Sequence, residues 1–257
     1  MLFYFFSIQY IYMIKAEVKT DPDSSSNKNQ IIKEMLEARV CYGHRSSTTN
    51  PKMKPYISGT KNNFEVVDLE KTFEALEKSK KFMGELGQQK KTLLFVGTSP
   101  IIRDLVTMAA EKTRSPYSAS HWIGGFLTNF KTIFSRLKYF RELKAKEASG
   151  ELQKYTKKEQ INFQKEIQKL SQLFLGLEEC QGLPNALVVV NVKTHETAVR
   201  EAKKLKIPII GIVDTDSEPQ LADYVIPASD HIRSSVNYLL NQLVSGYNAS
   251  EGESPKT

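Results

Sequence analysis

Thr92-Leu93-Leu94-Phe95-Val96-Gly97-Thr98 indicates the class of structure that this chain adopts. Its apolar run is unbroken, and a glycine and a threonine follow directly. Such a run is typical of a parallel strand that is buried on both faces of a sheet. Ser99 and Pro100 come next and predict the start of a helix, because serine caps helices and proline fits the first helical turn.

Further apolar runs of the same character alternate with helical patterns along the chain. The runs cover residues 64–67, 186–190, 207–213 and 223–226. Apolar residues recur at helical spacing over residues 69–86, 101–110, 196–205 and 230–244. This alternation predicts an α/β fold with a mostly parallel sheet and helices on both faces.

Residues 128–177 interrupt the alternation, because they contain no strand pattern. Two apolar stripes at helical spacing flank a turn at Ala148-Ser149-Gly150. The stripes comprise Ile133, Phe134, Leu137, Phe140 and Leu143, and then Ile161, Ile167, Leu170, Phe174 and Leu177. They predict a protruding antiparallel coiled-coil hairpin. Its first helix carries cations that suit a phosphate backbone, namely Lys131, Arg136, Lys138, Arg141, Lys144 and Lys146.

The composition is that of a globular protein with an anionic partner. The chain has 257 residues and a formal net charge of +7, which favours binding to nucleic acid or to a membrane surface. Cys41 and Cys180 lie far apart in the sequence and are expected to be reduced thiols. The histidines are scattered (His44, His121, His195 and His231), so we expect neither a metal nor a cofactor.

The N-terminus is apolar from Met1 to Ile14, which is shorter than the roughly 20 residues that span a bilayer. No basic region precedes it, so it makes a poor signal peptide. We assign residues 1–29 to a disordered tail or extension, 30–127 and 178–246 to the α/β domain, 128–177 to the hairpin, and 247–257 to a disordered tail. No membrane partner is expected, although a membrane-associated adaptor that uses the apolar segment stays an alternative.

Two segments have the position of an active site in an α/β fold, and neither carries a catalytic mechanism. Gly97-Thr98-Ser99 either binds an anion through free N–H groups or simply forms a tight turn. Asp214-Thr215-Asp216-Ser217 follows a predicted strand, where α/β sheets place ligands. Its carboxylates either hold a metal or act as acid and base, or the segment is a polar turn. No catalytic residue is assigned, and we predict that the protein is not an enzyme.

Several short segments, in order along the chain, carry a resemblance to a known family. They are Cys41-Tyr42-Gly43-His44, Asn50-Pro51-Lys52-Met53-Lys54-Pro55-Tyr56-Ile57, Asp68-Leu69-Glu70-Lys71-Thr72, Leu94-Phe95-Val96-Gly97-Thr98, the stretch Ser120 to Thr132, Gly182-Leu183-Pro184-Asn185-Ala186-Leu187, Gly211-Ile212-Val213-Asp214-Thr215-Asp216-Ser217 and Tyr224-Val225-Ile226-Pro227. Together they resemble the bacterial and organellar form of the ribosomal small-subunit protein two family. The resemblance covers about residues 31–244.

The resemblance implies a flavodoxin-like (Rossmann-like) sheet with a coiled-coil hairpin, and a structural role in translation. The implied partners are small-subunit rRNA and other small-subunit ribosomal proteins, including the large mRNA-binding protein one. The implied location is the small ribosomal subunit, in the bacterial cytoplasm or in an organelle (mitochondrion or plastid). A phosphosugar- or nucleotide-binding α/β enzyme is the alternative function, and it does not explain the basic hairpin.

Candidate rRNA contacts lie in three of these segments and, for Arg136, just beyond the third. They are His44, Asn50, Lys52, Lys54 and Tyr56, and then Trp122, Gly124, Gly125, Thr128, Asn129, Lys131 and Arg136. The lysines suit phosphates and Tyr56 either stacks or packs, while the glycines permit a sharp turn or close backbone approach. Trp122 either anchors the hairpin to the sheet or stacks on a base. His44 either bonds RNA or fixes its own loop.

The sequence also departs from the family pattern. His121 stands where the family usually has arginine before the tryptophan, and Ser99-Pro100 replaces a basic residue. Asp216 replaces a common asparagine, and Ala228-Ser229 replaces a common Gly-Asn pair. These differences affect individual contacts more than they affect the family resemblance.

Overall fold

The computed structural model describes residues 25–251. The helices in chain order are α1 (Ser25–Glu37), α2 (Leu69–Gln88), α3 (Arg103–Lys112), α4 (Phe130–Ala148), α5 (Lys157–Leu173), α6 (Glu196–Lys204) and α7 (Arg233–Glu251). The strands are β1 (Tyr42–Arg45), β2 (Ile57–Lys61), β3 (Phe64–Val67), β4 (Leu93–Val96), β5 (Tyr117–Ser118), β6 (Ala186–Val190), β7 (Ile209–Val213) and β8 (Tyr224–Pro227). Short 3₁₀ turns include Pro51–Tyr56 and Glu151–Lys154.

Five strands form one parallel sheet in the order β5-β4-β6-β7-β8. Successive side chains of a strand point to opposite faces, so each strand contributes to two cores. Core 1 contains Phe95 and Val188 and is covered by residues of α1, α2, α3 and α7. Core 2 contains Val96 and Val189 and is covered by residues of α4, α5 and α6. The predicted fold class, a mostly parallel sheet flanked by helices, is confirmed.

The strand predicted at residues 64–67 forms, but in a different sheet from the one expected. It is β3, the centre of a separate antiparallel sheet with the order β1-β3-β2. Asn62 and Asn63 join β2 to β3 with φ angles of 51° and 64°. Two residues with positive φ make a tight hairpin turn, and asparagine tolerates that conformation. Because β3 pairs with its hairpin partner, it does not join the parallel sheet.

The predicted helix start at Ser99 and Pro100 is wrong. Helix α3 begins at Arg103, and Ile102 precedes it without a side-chain cap. The Ser99 carbonyl accepts hydrogen bonds from the N–H groups of Ile102 (3.1 Å) and Arg103 (3.0 Å). A separate turn therefore carries the chain from β4 into the helix.

Helices α4 and α5 occupy the region predicted as a hairpin. Gly150 lies between them with a φ of 72°, which suits glycine because it has no side chain. The first stripe is buried at Ile133, Leu137, Phe140 and Leu143. Ile161 of the second stripe is 51% exposed and does not share the buried seam. Supercoiling of the two helices and their protrusion from the domain stay predictions.

Both ends of the described chain are helical beyond the predicted domain limits. Residues 25–29, which the sequence assigns to the tail, belong to α1. Lys28 lies over the Phe73 ring at 6.0 Å and 4.0 Å from the Glu70 carboxylate. Helix α7 continues to Glu251, past the expected limit at residue 246. The rest of both predicted tails lies outside the described residues, and no described helix has the length and apolar character needed to cross a membrane.

Candidate nucleic-acid interface

The predicted RNA contacts fall on two loops that are anchored in the same core. The first loop, residues 44–56, buries Met53 in core 2. The second loop, residues 120–129, buries Phe126 and Leu127 in that core. Both loops therefore lie on the same side of the parallel sheet, although about 70 residues separate them in the sequence.

Asn50 fixes the shape of the first loop. Its side-chain oxygen accepts a hydrogen bond from the Lys52 N–H at 3.0 Å and so caps the 3₁₀ turn Pro51–Tyr56. Its own N–H donates to the Thr215 carbonyl at 2.8 Å. Asn50 thus ties the loop to the turn that follows β7, and a contact between its side chain and RNA stays a prediction.

The two lysines of the first loop differ in their surroundings. The Lys52 ammonium donates to the Glu218 carboxylate and to the Gln220 side-chain oxygen, the latter at 2.9 Å. Lys54 is exposed and forms no ion pair within residues 25–251. Tyr56 is half-buried against core 2. Of these two lysines, Lys54 is therefore the one that is available to a partner.

Glu201 of helix α6 organises the second loop, and the sequence analysis missed it. Its carboxylate is 8% exposed and accepts hydrogen bonds from the Trp122 indole N–H (3.1 Å) and the backbone N–H groups of Gly125 (2.7 Å), Leu127 (3.0 Å) and Thr128 (3.3 Å). A carboxylate with several N–H donors is satisfied as a buried anion. The only sequence signal was an acidic residue beside Ala198, Val199 and Ala202 on the buried side of a helix.

Trp122 and the two glycines have separate structural settings in this loop. The Trp122 ring packs edge-on against Phe126, with 5.7 Å between ring centroids, which agrees with an anchoring role. Gly125 has a φ of 83°, and its carbonyl accepts the Asn129 N–H at 2.7 Å. Gly124 is exposed. Gly125 is therefore the glycine that this turn requires.

The cations of helix α4 divide into engaged and available groups. Arg141 donates to the Cys180 carbonyl at 2.8 Å, and Lys144 lies 2.7 Å from the Glu178 carboxylate. These two side chains hold the segment that follows α5. Lys131 and Arg136 are exposed, and neither has an ion-pair partner in the described part of the chain. The predicted basic arm thus loses Arg141 and Lys144 to contacts within the chain, and Lys131 and Arg136 are the exposed members nearest the second loop.

His121, the departure from the family pattern, is exposed beside this loop. Its Nδ1 atom lies 3.1 Å from the Ser120 hydroxyl, and its carbonyl accepts a hydrogen bond from the Ser118 hydroxyl at 2.9 Å. The imidazole is therefore available at the surface where the family usually places a guanidinium.

A cluster of histidine and aspartate side chains lies beside the first loop. The His44 Nδ1 atom is 3.1 Å from Asp214 Oδ2, and the His231 Nδ1 atom is 3.0 Å from the same oxygen. These three ligand atoms lie within 4.8 Å of one another. Two imidazoles and a carboxylate are ligands that suit a divalent cation such as zinc. The fold therefore gathers two of the histidines that look scattered in the sequence.

Charge–charge interactions are strong in this cluster. The Asp214 carboxylate, whose Oδ2 atom lies 3.1 Å from His44 Nδ1, raises the pKa of His44 to about 9. Although burial opposes the shift, hydrogen bonds from His231 and His44 lower the pKa of Asp214. Burial and the Asp214 charge raise the pKa of Asp230 well above its ordinary value. His44 is thus held by its own loop and turn, so the loop-fixing interpretation agrees with its contacts.

Gly97-Thr98-Ser99 forms a tight turn in which the N–H groups of Gly97 and Thr98 are already used within the chain. The Gly97 N–H donates to the Ser118 carbonyl at 3.1 Å, and the Thr98 N–H donates to His195 Nε2 at 3.2 Å. His195 is buried, and burial lowers its pKa. These groups do not point at an anion site, and the following helix begins six residues after Gly97 at Arg103. The enzyme alternative therefore loses its phosphate-binding element.

A surface groove of about 520 Å³ lies between helix α2 and strand β8. Its lining includes Tyr56, Lys78, Phe82 and Tyr224, and does not include Gly97–Ser99 or Asp214. The groove is thus separate from the segments that an enzymatic mechanism would use.

Comparison with known proteins gives consistent matches over most of the chain. The family profile described as "Ribosomal protein S2" matches residues 35–250. A Thermus thermophilus protein named "Small ribosomal subunit protein uS2" is 42% identical over 213 residues, which is 83% of this chain and 83% of that protein. A Coprothermobacter proteolyticus protein of the same name is 39% identical over 212 residues, which is 82% of this chain and 79% of that protein. The matched residues include both loops.

Proposed function

The chain belongs to the ribosomal protein S2 family, and from this premise we propose that it binds small-subunit rRNA and neighbouring ribosomal proteins within the small ribosomal subunit. The family is one of ribosomal structural proteins and not of enzymes. The family match over residues 35–250 carries the proposal. The charges at the two loops support it, because Lys54 in the first loop and Lys131 just after the second are exposed, and no carboxylate of the described residues pairs with either.

Three cations are the proposed phosphate contacts: Lys54 in the first loop, and Lys131 and Arg136 in helix α4. Each is exposed. Lysine and arginine bind phosphate oxygens without reading the base sequence. We assign Lys52 a different role, because its ammonium is already held by Glu218 and Gln220. Lys52 holds the first loop against the segment that follows β7 and so keeps Lys54 in place.

The remaining predicted contacts contribute shape and position. Asn50 and His44 hold the first loop to the Asp214–Thr215 turn. Trp122 and Thr128 hold the second loop to Glu201, and Asn129 precedes the first turn of helix α4. Tyr56 is half-buried and packs against core 2 at the end of the first loop. We also propose that the protein takes part in docking the large mRNA-binding protein one.

The proposed location is the small subunit of a bacterial cytoplasmic ribosome, because the relatives named above are bacterial. An organellar ribosome is the alternative. The phosphosugar- or nucleotide-binding function is not favoured, since the donors of Gly97 and Thr98 are used within the chain.

The test is sedimentation of cell extract through a sucrose gradient, with detection of this chain at low and high salt. We expect the chain to sediment with the small subunit at low salt and to dissociate from it at high salt. The variant Lys54→Glu/Lys131→Glu should bind more weakly, and the dependence of log affinity on log salt concentration should become shallower by about two units. Sedimentation of the wild-type chain as a free light protein at low salt would contradict the proposal.

A matched control makes the same change of charge on the other side of the sheet. Lys33 and Lys90 are exposed. Lys33 belongs to α1 and Lys90 follows the end of α2, and both helices pack on core 1. The variant Lys33→Glu/Lys90→Glu should bind the subunit as the wild type does. If both double variants lose binding equally, net charge explains the loss and the assignment of Lys54 and Lys131 is wrong.

A further inference from the structure

The parallel sheet ends at strand β8 with side chains of both cores near the surface. β8 is the last strand in the order β5-β4-β6-β7-β8, and no strand of residues 25–251 pairs with its outer side. Tyr224 is half-buried against core 1, and its neighbour Val225 is half-buried against core 2. Exposed sheet edges pair readily with other segments, and native proteins usually cover them. The outer side of β8 is therefore a place where a further segment would pack favourably.

The groove of about 520 Å³ between helix α2 and strand β8 lies at this edge. Two of its lining rings, Phe82 and Tyr224, are stacked with their centroids 4.3 Å apart. Tyr56 and Val225, which pack on core 2, line it as well. The charged residues of the lining balance one another, namely Lys71, Lys78, Lys81, Glu74, Glu85 and Asp223. A groove with aromatic rings and no excess charge suits an uncharged apolar segment better than a phosphate backbone or an acidic peptide.

The N-terminal run of this chain has the composition that fits the groove. Residues 1–14 carry no charged side chain, and apart from Ser7 and Gln9 every side chain is apolar or aromatic. Phenylalanine, tyrosine and isoleucine, which dominate the run, favour extended strands. Odd and even positions are both apolar, as in a strand that is covered on both faces. A segment that lies along β8 meets both cores and so needs this pattern.

The described chain begins close to the groove. Lys28, in the first turn of helix α1, lies 4.0 Å from the carboxylate of Glu70 in helix α2. Lys71, the next residue of α2, lines the groove. The polar linker of residues 15–24 spans at most about 33 Å, and the lining part of α2, from Lys71 to Glu85, is about 21 Å long. The linker is therefore long enough to place the apolar run anywhere along the groove.

We propose that residues 1–14 pack into the groove between α2 and β8 of the same chain, along the outer side of β8. The run covers the sheet edge and does not serve as a membrane anchor. Apolar surface of both the run and the groove leaves water, and this burial drives the contact. The inference goes beyond the proposed function and does not depend on it.

The first test is amide hydrogen exchange in the full chain and in a chain that lacks residues 1–24. We expect residues 223–226 to exchange roughly tenfold faster after the deletion, because partial burial of one large apolar side chain changes an opening equilibrium by about that factor. Strand β5, at the opposite edge of the sheet, is the internal control and should exchange equally in both chains. Equal exchange of residues 223–226 in the two chains would overturn the inference.

The second test blocks the groove in the full chain. Ala75 is half-buried and lines the groove, whereas Ala145 is exposed on helix α4 and does not. Ala75→Arg should speed exchange at residues 223–226 as the deletion does, and Ala145→Arg should leave it at the wild-type rate. In the shortened chain, Ala75→Arg should add nothing, since variants that remove one contact are not additive. An unchanged rate for Ala75→Arg in the full chain, or an effect that adds fully to the deletion, would place the run elsewhere.

The third test changes only the run and so does not depend on how Ala75→Arg folds. Phe5→Asp/Ile11→Asp puts two charges into the apolar run and should reproduce the faster exchange of residues 223–226. Thr20→Asp/Ser24→Asp adds the same charge to the polar linker and should behave as the wild type does. Wild-type exchange in both double variants would show that the run does not occupy the groove.

The same measurement separates two other occupants. We expect protection of residues 223–226 to be independent of protein concentration and unaffected by phosphatidylcholine vesicles. Protection that falls on dilution would mean that the run fills the groove of a second copy, and the inference of a contact within one chain would be wrong. Protection that falls when the chain binds the vesicles would mean that the run prefers lipid, and the inference would again be wrong. None of these outcomes bears on sedimentation with the small subunit, which tests the proposed function separately.

Discussion

At the residue scale, the Glu201 carboxylate is the most informative side chain of the candidate interface. It takes the indole N–H of Trp122 and backbone donors of the second loop in a buried position. A sequence reader sees only a glutamate in a charged helix. Its role depends on a loop more than 70 residues away in the chain, and no local sequence pattern shows that the two segments meet.

Glu201→Gln should destabilise the protein and Trp122→Phe should do so less. The amide places an N–H₂ group against inward-pointing N–H donors, and a buried donor without a partner costs about 1–3 kcal/mol. Trp122→Phe removes one donor and part of the ring, so we expect roughly 1 kcal/mol from the lost hydrogen bond. Denaturant unfolding of both variants measures these differences. Wild-type stability of Glu201→Gln would contradict the organising role of the carboxylate.

The His44–Asp214 pair predicts a dependence of stability on pH. The pKa of His44 is raised from 6.5 to about 9 in the folded chain. A raised pKa means that the folded state holds the proton more tightly, so this contribution is complete below pH 6.5 and disappears as the pH rises through about 9. The groups that face His44 are Asp214, Asp216, Asp230 and His231, and Lys193 is paired with Asp216.

The measurement is the free energy of unfolding at pH 6 and at pH 9.5, with a chelator present so that no metal ion contributes. We expect the wild type to lose stability between these values, and His44→Gln to lose less. Equal slopes for the two chains would show that His44 is not the group responsible. Asp230 contributes in the same direction, because its raised pKa means that stability is also lost as the pH rises from 3.8 towards that raised value. The difference between the wild type and His44→Gln is therefore the quantity that reports on His44.

At the scale of elements, the strands that are buried on both faces and the edge strand β8 were predictable, whereas the short edge strand β5 and the sheet that β3 joins were not. Strands β4, β6 and β7 are continuous apolar runs, and the structure buries every residue of them. Strand β5 has two residues, Tyr117 and Ser118, and carries no pattern of its own. The pairing of β3 depends on the turn at Asn62 and Asn63. Ser99 suggested a helix cap, but tertiary packing places a turn there first.

Gly176 fastens the segment after helix α5 to strand β5. Its carbonyl accepts the Tyr117 N–H at 2.9 Å, its φ is 80°, and an added Cβ would lie 2.6 Å from the Tyr117 carbonyl oxygen. Gly150→Ala is the matched control, because Gly150 has a φ of 72° and its nearest neighbour is a flexible side chain at 3.8 Å.

Gly150→Ala should cost about 1 kcal/mol from backbone strain alone. Gly176→Ala should cost several times more, since a backbone clash adds to the same strain. Thermal and denaturant unfolding of the two variants isolates the close packing of β5. If the two alanines are equally tolerated, the segment after α5 is not fastened to β5 as described.

At the scale of the whole molecule, the two loops show what the sequence could and could not predict. The sequence motifs identified both loops as candidate contacts. They did not show that Met53 and Phe126 anchor the two loops in the same core, core 2. The sequence also could not separate Lys52, which is paired with Glu218, from Lys54, which is available. Charge is visible in a sequence, whereas neutralisation by a residue 166 positions away is a product of the fold.

The apolar N-terminal segment provides the last prediction, and the structure changes its design. Deletion of residues 1–29 would remove the first turn of helix α1, including Lys28, which contacts Phe73 and Glu70. Deletion of residues 1–24 keeps the helix whole. If the protein acts as a ribosomal constituent, the shorter deletion should sediment with the small subunit as the wild type does, because the family match begins at residue 35.

Flotation of the same extracts on a density gradient completes the comparison with the membrane-adaptor alternative. A ribosomal constituent stays with the ribosomal fractions with or without residues 1–24, and none of it floats with lipid. An adaptor held by an apolar segment floats in its full-length form and leaves the membrane after the deletion, since buried apolar surface provides its attachment. The longer deletion serves as a stability control: it should lower the unfolding midpoint because α1 loses the Lys28 contacts. Loss of subunit binding on removal of residues 1–24 alone would mean that the segment takes part in assembly.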